Sequence, residues 1–350
     1  MALITGKVTL TPTATGSAPS GAEGDLYYDS TESSLMSYTD SVGATASWRK
    51  ISGASATGGA MTEYNGYKMH AFTGSGNFVV VNGSLVCDIM IVAGGGGSGL
   101  HHSAGAGAGG LLYGQVTVTV GSWAIVVGAG GAGAPSLTNN VKGSNGSNST
   151  MVLPSGTATA NGGGWGGTRQ DAGGAGGSGG GTKYTYGGAN SGGTGNQGNS
   201  QGLTGYGNNG GYGYAGHSVP HYSAGGGGGA GAVGESGGGN DRSYDGGIGK
   251  DMSAYFGTLY GEDGWFAGGG GGGAHEGNGG AEHRHPWRGM AGKGGGGIGG
   301  IDGGEQYPGD HGAPNTGGGA GPNERQQDPQ ARPYSNTGGS GIVIIRYATT

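Results

Sequence analysis

Ala172-Gly-Gly-Ala175-Gly-Gly-Ser178-Gly-Gly180 repeats every three residues. The same spacing returns as Gly225, Gly228, Gly231, Gly234 and Gly237, and again as Gly294, Gly297, Gly300 and Gly303. A polyproline II helix has three residues per turn and rises about 3.1 Å per residue. Glycine at period three leaves such a helix one face without side chains. Several such helices can then lie at main-chain distance, with peptide groups paired between neighbours and Cα–H···O contacts adding to them. Two other readings compete. Collagen needs an unbroken, proline-rich Gly-X-Y repeat. Here the triplet runs are short, their register slips, and 350 residues hold only 11 prolines, which excludes it. A flexible linker stays open, because glycine loses the most backbone freedom on folding and few apolar residues between Asn161 and Ser340 offset that loss. The spacing favours an ordered bundle of short three-residue-turn helices joined by irregular loops.

Outward from this stretch, most of the 99 glycines fall between Gly94 and Gly341. The field opens on Leu85-Val-Cys-Asp-Ile-Met-Ile-Val-Ala93 and closes on Ile342 to Tyr347. Both read as strands, and the bracket predicts that they meet. The first is nearly all apolar, so it belongs in the centre of a sheet. Tyr67–Thr73 and Phe78–Val81 flank a Gly-Ser-Gly turn before it. Gln115–Val120 alternates valine and threonine-type positions, and Trp123–Val127 comes two residues later, which predicts a hairpin. Ser149–Ala160 supplies another pair of short strands. The expected class is all-β, with a sandwich base over 63–160 plus 342–348 and a glycine-rich insertion over 161–341. No helix of any length is expected.

Residues 1–53 form a separate small β module, with strands at Lys7–Thr11, Gly24–Asp29, Leu35–Tyr38 and Ser47–Ile51, and 54–62 reads as a small, polar linker. The module is too small for a large core, and pairing with copies of itself would help it. Only 10% of residues are charged, the net charge is −6, and there is no basic patch, so nucleic acid is not an expected partner. No apolar run approaches 18 residues, so no membrane insertion is expected. The N-terminus lacks the features of a signal peptide, which points to synthesis in a cytoplasm. The single cysteine, Cys87, reads as a buried structural thiol.

Pro19-Ser-Gly-Ala-Glu-Gly-Asp-Leu-Tyr-Tyr-Asp29, with Leu35, Tyr38 and Trp48 after it, resembles a small β module of tailed-bacteriophage fibre and virion proteins. Leu35-Met-Ser-Tyr38 departs from that family's charged, alternating strand. A longer resemblance spans 63–350. It is carried in order by Tyr67-Lys-Met-His-Ala-Phe-Thr-Gly-Ser-Gly-Asn-Phe78, Ile91-Val-Ala-Gly-Gly-Gly-Gly97, Val116-Thr-Val-Thr-Val-Gly121, Val126-Val-Gly-Ala-Gly-Gly-Ala-Gly133 and Gly338-Gly-Ser-Gly-Ile-Val-Ile-Ile-Arg-Tyr347. These look like the glycine-rich β domain of phage tail-fibre and virion structural proteins. The resemblance implies a non-enzymatic virion component, a homotrimer, attached through residues 1–53 to other virion proteins or to its own copies. It also implies polyglycine-type helices that display receptor-binding loops. The expected role is host-surface recognition by a fibre or adhesin, with a host glycan or outer-membrane receptor as partner. The alternative is a structural capsid or tail decoration protein, or the subunit of a repeating fibre.

The chemical motifs are sparse. Gly94-Gly-Gly-Gly-Ser-Gly99 satisfies G-x-G-x-x-G after a strand, but the residues downstream, His101-His-Ser-Ala-Gly-Ala-Gly107, will not make the helix that dinucleotide binding requires. No cofactor and no catalytic constellation are expected. His283-Arg-His285 places two imidazoles at metal-ligand spacing, and some trimeric phage fibres hold metal through His-x-His. An exposed polar loop is the competing and favoured reading. Aromatic residues gather in the glycine field beside Asn, Asp and His. Tyr184, Tyr186, Tyr206, Tyr212, Tyr214, Tyr222, Trp265, Phe266 and Trp287 are the candidate receptor-binding set, because ring faces with polar neighbours bind sugars. The competing reading makes these rings local covers over glycine backbone.

Overall fold

The computed structural model describes residues 12–13, 26–29, 34–39, 47–50, 55–100, 103–135, 141–183, 191–213, 221–237, 242–276, 288–302, 307–323 and 335–349. The chain is all-β. In the N-terminal module, β1 (Pro12–Thr13), β2 (Leu26–Asp29), β3 (Ser34–Thr39) and β4 (Ser47–Lys50) pair in sequence order. The expected strand at Lys7–Thr11 lies outside the described residues.

The larger part begins with β5 (Ser55–Thr57), β6 (Ala60–Tyr64), β7 (Tyr67–Phe72), β8 (Gly76–Val92), β9 (Leu111–Val126), β10 (Ser149–Leu153) and β11 (Gly156–Ala160). Short elements come next: β12 (Thr204–Tyr206), β13 (His221–Ser223), β14 (Lys250–Asp251), α1 (Ser253–Phe256), β15 (Trp265–Phe266), β16 (Ala274–Glu276) and β17 (Ile301–Asp302). The last strand is β18 (Ile342–Ala348). A nine-stranded sheet runs β11-β10-β9-β8-β18-β7-β6, with β12 added to β9 and β5 to β8. The predicted meeting of the bracketing strands is observed: Ile342–Arg346 pairs antiparallel with Val92–Asp88.

Three expectations are corrected. Residues 54–62 are not a linker. Gly58 (φ 109°) and Gly59 (φ 63°) turn the chain between β5 and β6, and an ideal Cβ on Gly58 would lie 2.1 Å from the Asn77 oxygen. The strands on either side then pair with β8 and β7. Gln115–Val127 is not a hairpin. Gln115–Val126 lies within one continuous strand, β9, because Val80 pairs with Gly121 and Ser84 with Thr119. Three residues of β8 thus stand opposite Val120, and this irregularity absorbs the turn-like Asn82-Gly83 and Gly121-Ser122 pairs. The base is therefore not two separate sheets. It is one sheet whose two halves share an apolar cluster, with Phe78, Val80, Ile125 and Met151 on one side of the irregularity and Ile89, Ile91, Val343 and Ile345 on the other.

Cys87 is buried in that cluster, and burial pushes its thiol up to about 12. His70 is also fully buried there. Its Nδ1–H donates to the Gly58 oxygen at 2.7 Å, and the Tyr347 hydroxyl donates to Nε2 at 3.3 Å. The same hydroxyl accepts the Ala56 N–H at 3.2 Å, so one network ties β5, β7 and β18. Burial holds the His70 pKa below its ordinary value and raises that of Tyr347. On the other face Met69, Met90, Val92, Ile342 and Ile344 pack against Met252, Phe256 and Phe266. Burying each large apolar side chain contributes roughly 1.5–3 kcal/mol.

Beyond the sheet the glycine segments form an ordered array. Along 93–100, Ala93 and Gly96 donate to Gly110 and Gly107; Gly94, Gly97 and Leu100 donate to Ser147, Ser144 and Val141; Gly95 and Ser98 donate to Gly339 and Asn336. Every third residue turns to the same neighbour, as a three-residue helix requires. The carbonyls of this segment accept from Gly131 and Ala134, from Gly163 and Gly166, and from Ala320. The segment is thus surrounded by 107–110, 141–147, 336–339, 131–134, 163–166 and 320–323. The first three run antiparallel to it and the last three parallel. Segment 103–110 is enclosed in the same way, by 93–96, 161–167, 178–181, 225–228, 317–320 and Gly270.

The close approach explains the composition. An ideal Cβ would lie 2.1 Å from the Gly164 oxygen at Gly96 and 1.9 Å from the Gly270 oxygen at Gly105. Where an outer segment lacks a neighbour, a side chain takes its place. Asn145 Oδ1 accepts the Trp165 N–H at 3.0 Å, Asn209 Oδ1 the Gly195 N–H at 2.8 Å, and Ser144 Oγ the Ala132 N–H at 2.9 Å. Main-chain groups left unpaired in the interior would each cost about 1–3 kcal/mol. The array also starts earlier than the expected 161: residues 93–110, 127–135 and 141–148 belong to it.

Candidate functional site

The segments run alternately away from the sheet and back. Segment 93–100 leaves β8 and 103–110 returns to β9; 317–323 leaves the sheet side and 335–341 returns to β18. At the far end Leu100 lies beside Asn323, Thr182 beside Tyr212, and Lys183 beside Ala224. A small sheet, β13-β16-β17, closes the same end. Its register sets His221 opposite Glu276 and Tyr222 opposite His275, with Asp302 beside His275. The chain enters β13 at 221 and leaves β16 at 276 and β17 at 302, all at one edge. The described residues flanking 184–190, 214–220, 277–287, 303–306 and 324–334 therefore gather at the end of the array opposite the sheet.

The candidate aromatic residues divide between the two ends. Tyr184, Tyr186, Tyr214 and Trp287 lie outside the described residues, as do His283 and His285. Tyr222 is in β13 and Tyr212 is near it; Tyr212 is exposed. Its N–H donates to Ser236 Oγ at 3.2 Å, and its carbonyl accepts the Gly237 N–H at 2.7 Å. Tyr206, Trp265 and Phe266 are at the sheet end. Lys250 Nζ sits 4.4 Å from the Tyr206 ring centroid, and Lys293 Nζ 4.8 Å from the Trp265 ring. Phe266 is wholly buried among Met252, Phe256 and Ala267. It is a core residue and not an exposed ring, because an apolar side chain at the sheet-array junction is one of the few available to exclude water there.

Polar chemistry near the far end is an ion-paired cluster. Arg242 Nη2 meets Glu235 Oε1 at 2.5 Å, and Nη1 lies 3.7 Å from Asp245. The Arg288 guanidinium lies 5.9 Å from the Tyr307 ring. Among the described residues no group of three His, Cys, Asp or Glu side chains is placed to hold a metal ion. The groups that burial shifts most, His70, Cys87, Tyr113 and Tyr347, are in the sheet and not at this end.

One cluster was missed in the sequence. Arg346 Nε pairs with Asp88 at 2.8 Å, its guanidinium lies 4.2 Å from the Tyr67 ring and 5.4 Å from the Tyr255 ring, and it donates to the Tyr255 carbonyl. Tyr113 packs on Tyr255 with centroids 4.7 Å apart. This cluster fastens the excursion 251–265 to the sheet. Only the pairing register of β7, β18, β8 and β9 brings its members together, so no local signal announces it.

No curated protein matches the chain. A family model described as a glycine-rich domain matches residues 71–348. That span takes in the sheet from the end of β7 onward together with the whole array, and the chain belongs to this glycine-rich domain family.

Proposed function

We propose that the protein is a non-enzymatic fibre or adhesin of a tailed-bacteriophage virion that recognises a host surface. Residues 1–53 attach it to other virion proteins or to its own copies, and the glycine array carries the recognition loops away from that attachment. The observation that supports this reading best is the gathering, at one end of the hydrogen-bonded array, of the described residues that flank 184–190, 214–220, 277–287, 303–306 and 324–334. A scaffold without mobile side chains holds loops at low conformational cost, which favours binding by preorganisation. Aromatic and polar residues concentrated in 184–190, 214–220 and 277–287 match the chemistry of glycan or outer-membrane-protein recognition.

The test is an exchange of these three segments for unrelated sequences of equal length, and then host-cell adsorption of the assembled particle. Lost or redirected adsorption with intact assembly is the expected outcome. Unchanged host range would move the protein to a structural role in the particle.

A further inference from the structure

The nine-stranded sheet ends on β11 at one edge and on β6 at the other. The β11 edge is covered by side chains. Ser200 Oγ accepts the Thr159 N–H at 3.2 Å, Gln197 Oε1 accepts the Asn161 N–H at 2.7 Å, and Gln197 Nε2 donates to the Thr159 carbonyl at 3.4 Å. The β6 edge is open: Ala60, Met61, Glu63 and Tyr64 are all exposed, Met61 to 59%. The turn after β6 fixes which of its main-chain groups are free. Asn65 and Gly66 have φ of 47° and 77° and join Tyr64 to its partner Tyr67. In such a two-residue hairpin the flanking pair exchanges both hydrogen bonds, and every second pair after it does the same. Those pairs are Tyr64 with Tyr67, Thr62 with Met69, and Ala60 with Ala71. The opposite side of β7 agrees in phase, since the Thr349 N–H meets the Gly66 carbonyl there. Met61 and Glu63 therefore turn both N–H and C=O away from β7, and no partner among the described residues meets them. The strand holds no proline, lysine or bulge, the devices that keep an edge from pairing.

We infer that β6 pairs antiparallel with β6 of a second copy of the chain, about a two-fold axis normal to the sheet between the two Thr62 residues. An antiparallel strand pair is what a two-fold axis imposes on an edge that meets itself. Rotation about this axis sets Met61 of each copy opposite Glu63 of the other. Both residues carry an open donor and an open acceptor, so each of these two pairs exchanges two hydrogen bonds and every open group is used. Other two-fold registers lose bonds. Centring on Met61 sets Glu63 opposite Gly59, where the chain turns with φ 63°. Centring on Glu63 sets Met61 opposite Asn65 in the turn and brings two carboxylates face to face. The side chains agree with the Thr62 register. On one face Glu63 stands between Lys68 of its own β7 and Met61 of the other copy. On the other face the exposed Tyr64 ring stands opposite the small Ala60 of the other copy, and Thr62 stands opposite itself. One short strand per copy makes a small interface, so the pairing depends on concentration. It does not rest on the proposed host recognition.

The test is disulfide trapping in the full chain at about 100 µM under mild oxidation. Residues opposite each other in a non-hydrogen-bonded pair have Cα atoms about 4.5 Å apart, within disulfide range. The two Glu63 residues would be diagonal neighbours, roughly 7–8 Å apart and beyond it. Thr62→Cys is therefore expected to give a covalent dimer in about tenfold higher yield than Glu63→Cys. Chance collision gives the reverse order, because Glu63 is the more exposed position, and the buried Cys87 thiol does not compete. Met61→Pro, added to Thr62→Cys, removes an outward N–H that no bond within the chain uses, and the dimer yield should fall about tenfold. Met61→Lys repeats that comparison through charge at the edge should Met61→Pro lower the urea midpoint. Absence of the Thr62→Cys dimer, equal yields from the two cysteine positions, or a yield indifferent to both Met61 substitutions overturns the inference. Cover of this edge by residues 1–53 or by a different protein gives the first of those results.

Discussion

Two kinds of residue carry the architecture, glycines at main-chain contact and buried polar side chains that close networks. At Gly96 there is no room for a methyl group, because its ideal Cβ meets backbone and not a movable side chain. Gly96→Ala is expected to cost about 3 kcal/mol or more, read as a lowered urea midpoint. Gly198→Ala is the matched control: nothing stands within 4 Å of its Cβ, and the midpoint should move little. His70 makes a second residue-scale prediction. Its folded-state pKa is held below the ordinary 6.5 by burial, so the unfolded chain binds the proton more readily. The stability from neutral His70 is present above about 6.5 and is lost as pH falls through that value toward the folded-state pKa. Urea midpoints measured from pH 7.5 down to about 5 should fall, and His70→Phe should flatten that dependence. The His70 network was not legible in the sequence. His70, Tyr347 and Gly58 meet only through the pairing of β7 with β18 and the turn before β6.

Among the elements, those with a strong repeat were the legible ones. Val116, Val118 and their threonine neighbours, the apolar run 85–93 and the closing Ile342–Tyr347 were read as strands and are strands. Period-three glycine was read as a three-residue helix, and the hydrogen bonds of 93–100 recur at that period. The failures share a cause. Asn82-Gly83, Gly121-Ser122 and Gly58-Gly59 have turn chemistry, and local chemistry cannot tell a turn from an irregularity inside a continuous strand. The candidate site was legible only as composition: aromatic-rich segments were found, but not which end of the array each ring occupies. Phe266 is the clearest miss, since its burial depends on α1 folding back on the sheet. A turn between array segments supplies a prediction at this scale. Glu262 Oε2 accepts the N–H of Gly294 at 2.7 Å and of Gly295 at 2.9 Å. Glu262→Ala leaves both buried donors without that acceptor and is expected to cost about 2–3 kcal/mol, measured as a shift in thermal midpoint.

For the whole molecule, the array and the sheet are one continuous structure. Strands β8, β9 and β18 pass directly into segments 93–100, 103–110 and 335–341. A glycine field with few side chains is thereby held by peptide hydrogen bonds in several directions at once, where a linker of the same composition would exchange its amides freely. The sheet supplies the apolar burial that the array lacks, and the far end carries the flanks of the segments for which host recognition is proposed. Native-state hydrogen exchange with residue-level resolution tests this order most directly. Amides of Gly94–Gly97 and Ala104–Gly110 should exchange as slowly as those of β8 and β18, while exposed Gly74 and Gly198 exchange fast. Exchange of the central glycine amides within seconds, at the rate of an unstructured chain, would contradict an ordered array and leave only the sheet as folded structure.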